Sequence, residues 1–282
     1  MLTRARGVIV VVPAVAWLSI FFLLPLAFIL VVSLGSRDEL GRIVLDDLSL
    51  DNYRRAFNPD YLPTIITALR YAALTTVAAL LIGYPIAYWI SRYGGRRKIL
   101  LLLLVMLPFW TSWLIRTYAW MIILGDNGVV NAGLQAVGLT SEPIILLNTD
   151  FLVVLGMTYG FLPFAILPIF VSIDRLDANL VAAARDLYAT GRSAFLHVTL
   201  PLSMPGVIAA TLLTFIPAMG DFVTPDLLGG AQQTTIAKVI QERFLDGRDW
   251  PFGSALGFIL ITITMVGTLV ALRRVRREVA GE

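Results

Sequence analysis

Apolar positions in this chain run on for about twenty residues at a time, and the polar positions gather between those runs. A helix needs about 20 apolar residues to cross the hydrocarbon of a bilayer. Six segments meet that length, at about 8–34, 61–90, 99–124, 151–173, 205–222 and 252–272. The pattern predicts an all-α polytopic membrane protein with six transmembrane helices, forming a single transmembrane domain over 1–282. Met1–Arg6 is followed by an apolar run too long for a signal peptide, so the first segment reads as a retained span. Pro13, Pro25, Pro85, Pro108, Pro163 and Pro168 fall inside spans and predict kinks, since neighbouring helices can satisfy the carbonyls that a proline frees. No repeat of 20–50 residues and no inverted repeat of halves is visible.

Composition supports the spans. Hydrophobic residues make up 58% of the 282 positions and charged residues 15%, against about 45–50% and 25% in soluble chains. Charge then orients them. Thirteen Lys and Arg fall on one side: Arg4, Arg6, Arg92, Arg96, Arg97, Lys98, Arg175, Arg185, Arg192, Arg273, Arg274, Arg276 and Arg277. Seven fall on the other: Arg37, Arg42, Arg54, Arg55, Lys238, Arg243 and Arg248. The richer side is expected to be cytoplasmic, with both termini inside a bacterial inner membrane. The opposite side holds 14 of the 19 acids, Glu39 among them. Such a mouth concentrates cations, or is simply a set of solvated loops.

Several chemistries are excluded. There is no cysteine and one histidine, His197, so neither a disulfide framework nor a zinc or haem site of Cys and His is available. No carboxylate pair lies within a span, and no GxxxxGK[ST] loop is present for ATP hydrolysis. No cofactor is expected on this chain, and any ATP and Mg dependence must belong to a partner. The basic clusters lack the aromatic interleaving of a nucleic-acid site.

The segment 174–204 is a cytoplasmic loop in this topology. Asp177 suits a helix N-cap, and Leu180, Ala184 and Leu187 share a face of the helix that follows. Thr190 is placed to cap a second short helix ending before Pro201. Small residues at Ala182–Ala184 offer a compact docking surface, against the plainer reading of a helix lying at the membrane interface. The loop resembles the EAA loop of binding-protein-dependent ABC importer permeases, of the form E-A-A-x3-G-x9-I-x-L-P. Ala183, Ala184, Leu200 and Pro201 agree with it, Val198 stands for Ile, and Arg185, Asp186 and Leu187 fit a common variant. Ala182 replaces the acidic residue and Tyr188 the glycine. Tyr adopts positive φ poorly, so Gly191 is expected to take over the turn.

LPFWTSWLIRTYAW (Leu107–Trp120), GDFVTPDLLGG (Gly220–Gly230), NYRRAF (Asn52–Phe57) and WPFGSAL (Trp250–Leu256) resemble the spermidine/putrescine permease subfamily. The resemblance implies a type I ABC importer transmembrane domain. It also implies a second permease subunit, a dimer of ATPase subunits and an extracytoplasmic solute-binding protein. Residues 182–188 and Gly191 would then couple to the ATPase. Trp110, Trp113, Arg116, Asp221, Phe222 and Asp226 are candidates for a substrate path. Arg116, inside a span, is a functional candidate or a partner for a backbone carbonyl. Trp110, Trp113, Tyr118 and Trp120 could hold a cation on their ring faces or form an interfacial belt. Asp221, Phe222 and Asp226 line a path or cap loops around Pro225. The rival to an importer subunit is a stand-alone secondary transporter or channel.

Overall fold

The computed structural model describes residues 2–38 and 41–280. Glu39 lies outside the described residues, as do the side chains of Arg4, Arg6, Arg274, Arg276 and Arg277. Along the chain run α1 (Leu2–Leu34), the hairpin strands β1 (Ser36–Arg37) and β2 (Ile43–Val44), α2 (Asp51–Ala56), α3 (Leu62–Tyr93), α4 (Lys98–Met106), α5 (Trp113–Leu124) and α6 (Val129–Ala136). Then come α7 (Asp150–Asp174), α8 (Ala178–Asp186), α9 (Gly191–Ala194), α10 (Leu200–Met219), α11 (Val223–Leu228), α12 (Ile236–Leu245) and α13 (Trp250–Ala280).

Five helical segments among the described residues are each long and apolar enough to cross a membrane, and a bent helix pair meets the same test when its two halves are taken together. The bend falls within the expected third span, 99–124, where Pro108 predicted a kink. Residues 95–110 and 113–136 meet at 84°. Pro108, expected to kink the helix, sits in a 3-10 turn at Leu107–Trp110, and Thr111 and Ser112 are extended, with ψ of 158° and 137°. The fifth span differs. It does not begin at Pro205 but is continuous from Gly191 through a π-helical segment at Phe195–Thr199 to Met219. The second loop helix therefore does not stop before Pro201. Wider π winding just upstream accommodates a residue that lacks an N–H, and Pro201 sits in the first turn of α10, where proline is tolerated. Asp221 and Phe222 lie beyond the end of that span.

The chain divides into two compact units, residues 1–63 with 239–263 and residues 64–238 with 264–282. In the first, polar side chains hold the segments that follow α1. Buried Asn52 donates from Nδ2 to the carbonyls of Ser33 and Gly35, at 3.0 and 2.7 Å. Arg55 pairs with Asp249 at 3.1 Å and stacks over Phe252 at 4.2 Å, while Arg243 donates to the Tyr61 hydroxyl. NYRRAF and WPFGSAL, far apart in the chain, thus form one cluster.

In the second unit, α7 packs most extensively on α10. Ala79, Ala87 and Ile90 of α3, Ala165, Ile166, Ile169 and Ile173 of α7, and Ala210 of α10 form its core. Small residues permit the approach, as is usual between membrane helices. A Cβ at Gly206 would stand 2.4 Å from the Ser172 side chain and 2.7 Å from the Pro168 carbonyl oxygen. Polar ties secure both ends of α7. Asp150 accepts hydrogen bonds from Arg70, Tyr71 and Gln233. At the other end Asp174 accepts from Ser91 and Lys98.

Candidate functional site

The broken third span builds a cavity. Where the helix stops, carbonyls lose their intrahelical partners and need others. Arg116 supplies them: its Nη1 donates to the carbonyls of Pro108, at 3.2 Å, and Thr111, at 2.9 Å. The same guanidinium lies 5.0 Å from the Phe109 ring centre and 5.5 Å from that of Trp113. Of the two roles open to Arg116 in the sequence, the structure shows carbonyl pairing. Beside the break lies a cavity of about 380 Å³, lined by Ser112, Trp113, Leu114, Phe161, Pro217 and Gly220–Val223.

Asp221 follows the end of α10 and caps the turn into α11. Its carboxylate accepts from the N–H groups of Val223 and Thr224, at 3.0 and 3.2 Å, and from the Thr224 hydroxyl at 2.6 Å. Burial pushes the Asp221 carboxyl above the ordinary carboxylate range, an effect that the hydrogen bonds from Thr224 and Val223 offset only in part. Trp113 Nε1 donates to Thr224 Oγ1 at 3.2 Å, which links the broken span to Asp221. The indole occupies space that only a glycine leaves open, since a Cβ on Gly160 would meet the ring at 2.3 Å. Phe161 packs on the same indole, ring centres 4.8 Å apart. A carboxylate held by three donors beside Trp113, Phe161 and Phe222 offers what an organic cation needs in place of water: a negative charge and ring faces.

Three of the path candidates, Trp113, Asp221 and Phe222, are therefore brought together. Three are not. Trp110 is 75% exposed and outside the cavity lining. Arg116 braces the break. Asp226, in α11's first turn, pairs with Lys238 and is outside the cavity lining. Phe161, Gly160 and Thr224 were missed by sequence reasoning. Phe161 is one apolar residue among many in its span, and only its neighbour Gly160 signalled a close approach. Tyr118 is exposed, and Trp120 packs edge-on against Tyr159 at 5.5 Å.

The loop after α7 has the expected first helix. Asp177 accepts from the Asn179 N–H at 2.9 Å and caps α8, and Thr190 accepts from the Ser193 N–H and caps α9. The turn between them corrects the expectation for Gly191. Tyr188 itself takes the left-handed conformation, with φ of 62°, while Gly191 starts α9. The hydrogen bonds are those of a Schellman motif: Tyr188 N–H to the Arg185 carbonyl and Ala189 N–H to the Ala184 carbonyl. These two bonds hold Tyr in a conformation that disfavours it by roughly 1–2 kcal/mol. Leu187 is 82% and Tyr188 97% exposed. Ala182, Ala183, Arg185 and Asp186 are also exposed, and Ala184 is half-buried.

Fold and sequence together define a membrane-embedded transport subunit. The chain belongs to the family described as binding-protein-dependent transport system inner membrane component, whose model matches residues 79–277. It is 43% identical to the spermidine/putrescine transport system permease protein PotB of Haemophilus influenzae over 250 residues, covering 89% of this chain and 87% of the relative. To the protein of the same name in Escherichia coli K12 it is 40% identical over 262 residues, 93% and 94% of the two chains. Among solved structures, a bacterial ABC transporter that imports the acidic polysaccharide alginate contains a chain with the same fold. The TM-score is 0.79 at 18% identity, covering 98% of this chain and 96% of that one.

Proposed function

We propose that this chain is the membrane-spanning permease subunit of an ATP-driven importer that moves spermidine, putrescine or a related small organic cation into the cytoplasm. The observation that carries the substrate class is the Asp221 carboxylate, held beside Trp113, Phe161 and Phe222 at the broken span. The names of relatives at 40–43% identity agree with it. A polyamine carries two or more positive charges. Moving even one bare charge to the centre of a bilayer costs about 2.5 to over 10 kcal/mol, so a path must replace water with carboxylates, carbonyls or ring faces.

In this reading the basic side is cytoplasmic and both termini lie inside. A second permease subunit, a pair of ATPase subunits holding ATP and Mg, and an extracytoplasmic solute-binding protein complete the transporter. ATP binding closes the ATPase pair, the exposed face of α8 carries that motion into the membrane, and the two permeases rock to expose the cavity to alternate sides. The test is radiolabelled spermidine uptake by the purified, reconstituted complex with its co-purifying subunits identified. Uptake that requires ATP and a loaded binding protein supports the proposal. Uptake without an ATPase subunit would establish a stand-alone transporter. Transport of an anion or a neutral sugar, with none of any polyamine, would overturn the substrate class.

A further inference from the structure

A second cavity, of about 440 Å³, lies between the end of α3 and the flank of α8, far along the chain from Asp221. Its walls are Tyr88, Arg92 and Tyr93 from α3 and Val181, Ala182, Arg185 and Asp186 from α8. The lining residues include two arginines and one aspartate, an excess of positive charge. Arg92 Nη2 is buried and has no hydrogen-bond partner. Among the described residues, neither arginine enters an ion pair. A buried donor left without an acceptor costs roughly 1–3 kcal/mol, and more when it is charged; this nitrogen is closed to solvent, so an acceptor in the cavity meets it once the Arg92 side chain turns outward. Ala182, in the cavity wall, ends in a methyl and adds no charge. The cavity wall thus carries two guanidinium groups and a single carboxylate, Asp186.

We propose that this cavity binds a phosphate-bearing anion, with Arg92 and Arg185 as its charged ligands. The planar fork of a guanidinium matches phosphate oxygens two at a time. Basic pockets at the ends of membrane helices suit anionic lipid headgroups, and a free phosphate offers the same oxygens. Because one arginine is on α3 and the other on α8, a bound anion ties the loop helix to the second span. Occupancy would therefore set how firmly α8 is held, separately from whatever passes the Asp221 cavity.

The test uses the full-length protein, purified with whatever subunits accompany it, and two probes. Radiolabelled inorganic phosphate is measured by equilibrium dialysis, and phosphatidylglycerol added in mixed micelles is measured by native mass spectrometry. Saturable binding of at least one probe is expected. Arg92→Gln and Arg185→Gln should each weaken it about tenfold or more, the loss of one charge-assisted contact. Ala182→Glu, on an exposed helix face, should weaken it similarly by placing a carboxylate in the cavity, with the protein still monodisperse. Arg175→Gln, which lines a different groove, should leave it unchanged. Binding of the lipid alone assigns the site to a headgroup, and binding of phosphate without lipid assigns it to a soluble anion. No saturable binding of either probe, binding indifferent to Arg92→Gln and Ala182→Glu, or equal loss in Arg175→Gln would each overturn the proposal.

Discussion

Trp113 Nε1 donates to Thr224 Oγ1 at 3.2 Å, and the Thr224 hydroxyl donates in turn to Asp221 at 2.6 Å. The geometry of the break in the third span and the position of the carboxylate are therefore one arrangement. A change to either end should be read at the other.

Asp221→Asn tests the charge. Asparagine keeps one oxygen for the backbone N–H groups, so the turn into α11 should survive. Loss of the negative charge should lower spermidine uptake about tenfold, the scale of one charge-assisted contact, at matched expression. Asp246→Asn, in a separate exposed loop, should change uptake less. Stimulation of ATP hydrolysis by the loaded binding protein should fall less than transport does. Equal uptake by wild type and Asp221→Asn removes this residue from the path.

Gly160→Ala tests the seat of the indole. A methyl there would meet the Trp113 ring at 2.3 Å, so the ring must move away from Thr224. Overpacking of this kind costs about 1–3 kcal/mol. Expected are a lower thermal midpoint, a shifted tryptophan emission and reduced uptake. A wild-type emission spectrum with wild-type uptake would show that the indole's position is not critical.

Arg116→Ala removes the brace across the broken span. The Pro108 and Thr111 carbonyls lose a donor, at roughly 1 kcal/mol or more for each charge-assisted bond. The midpoint of thermal unfolding in detergent should drop by several degrees, with or without polyamine present. If stability holds and only substrate affinity falls, Arg116 contacts the substrate instead.

Two loop variants separate conformation from docking. Tyr188→Gly removes the penalty of a left-handed Tyr and should raise loop stability by about 1 kcal/mol, visible as slower amide exchange across 184–190. Ala183→Trp places bulk on the exposed face of α8 and should abolish transport while the protein remains inserted and expressed. Ala183 is the cleaner position, because half-buried Ala184 also packs within its own chain. Unchanged transport in Ala183→Trp would argue against docking through this face.

Orientation is open to a clean measurement, since the chain has no native cysteine. A single Cys in place of Arg97 should resist an impermeant thiol reagent added outside intact cells and react after the membrane is opened. Labelling from outside would invert the topology.

The sequence by itself determined that the chain is built on long apolar helices, the caps at Asp177 and Thr190, and the absence of thiol and P-loop chemistry. Those features rest on local matters: twenty apolar residues suffice for a span, and a cap needs only its own side chain and the next turn. It also contained the three cavity residues Trp113, Asp221 and Phe222, but gave no means of separating them from Trp110, Arg116 and Asp226. Only the tertiary structure decided that. Pro108 announces a kink, yet the 84° break persists because Arg116 reaches two freed carbonyls and Trp113 finds room over Gly160, which lies in another span. Tyr188 shows the same limit in the opposite direction. Its propensity argues against positive φ, but the two hydrogen bonds closing α8, from residues 188 and 189 to residues 185 and 184, outweigh a penalty of roughly 1–2 kcal/mol. Local preference is small beside the satisfaction of backbone groups, and those groups find their partners only once the chain is folded.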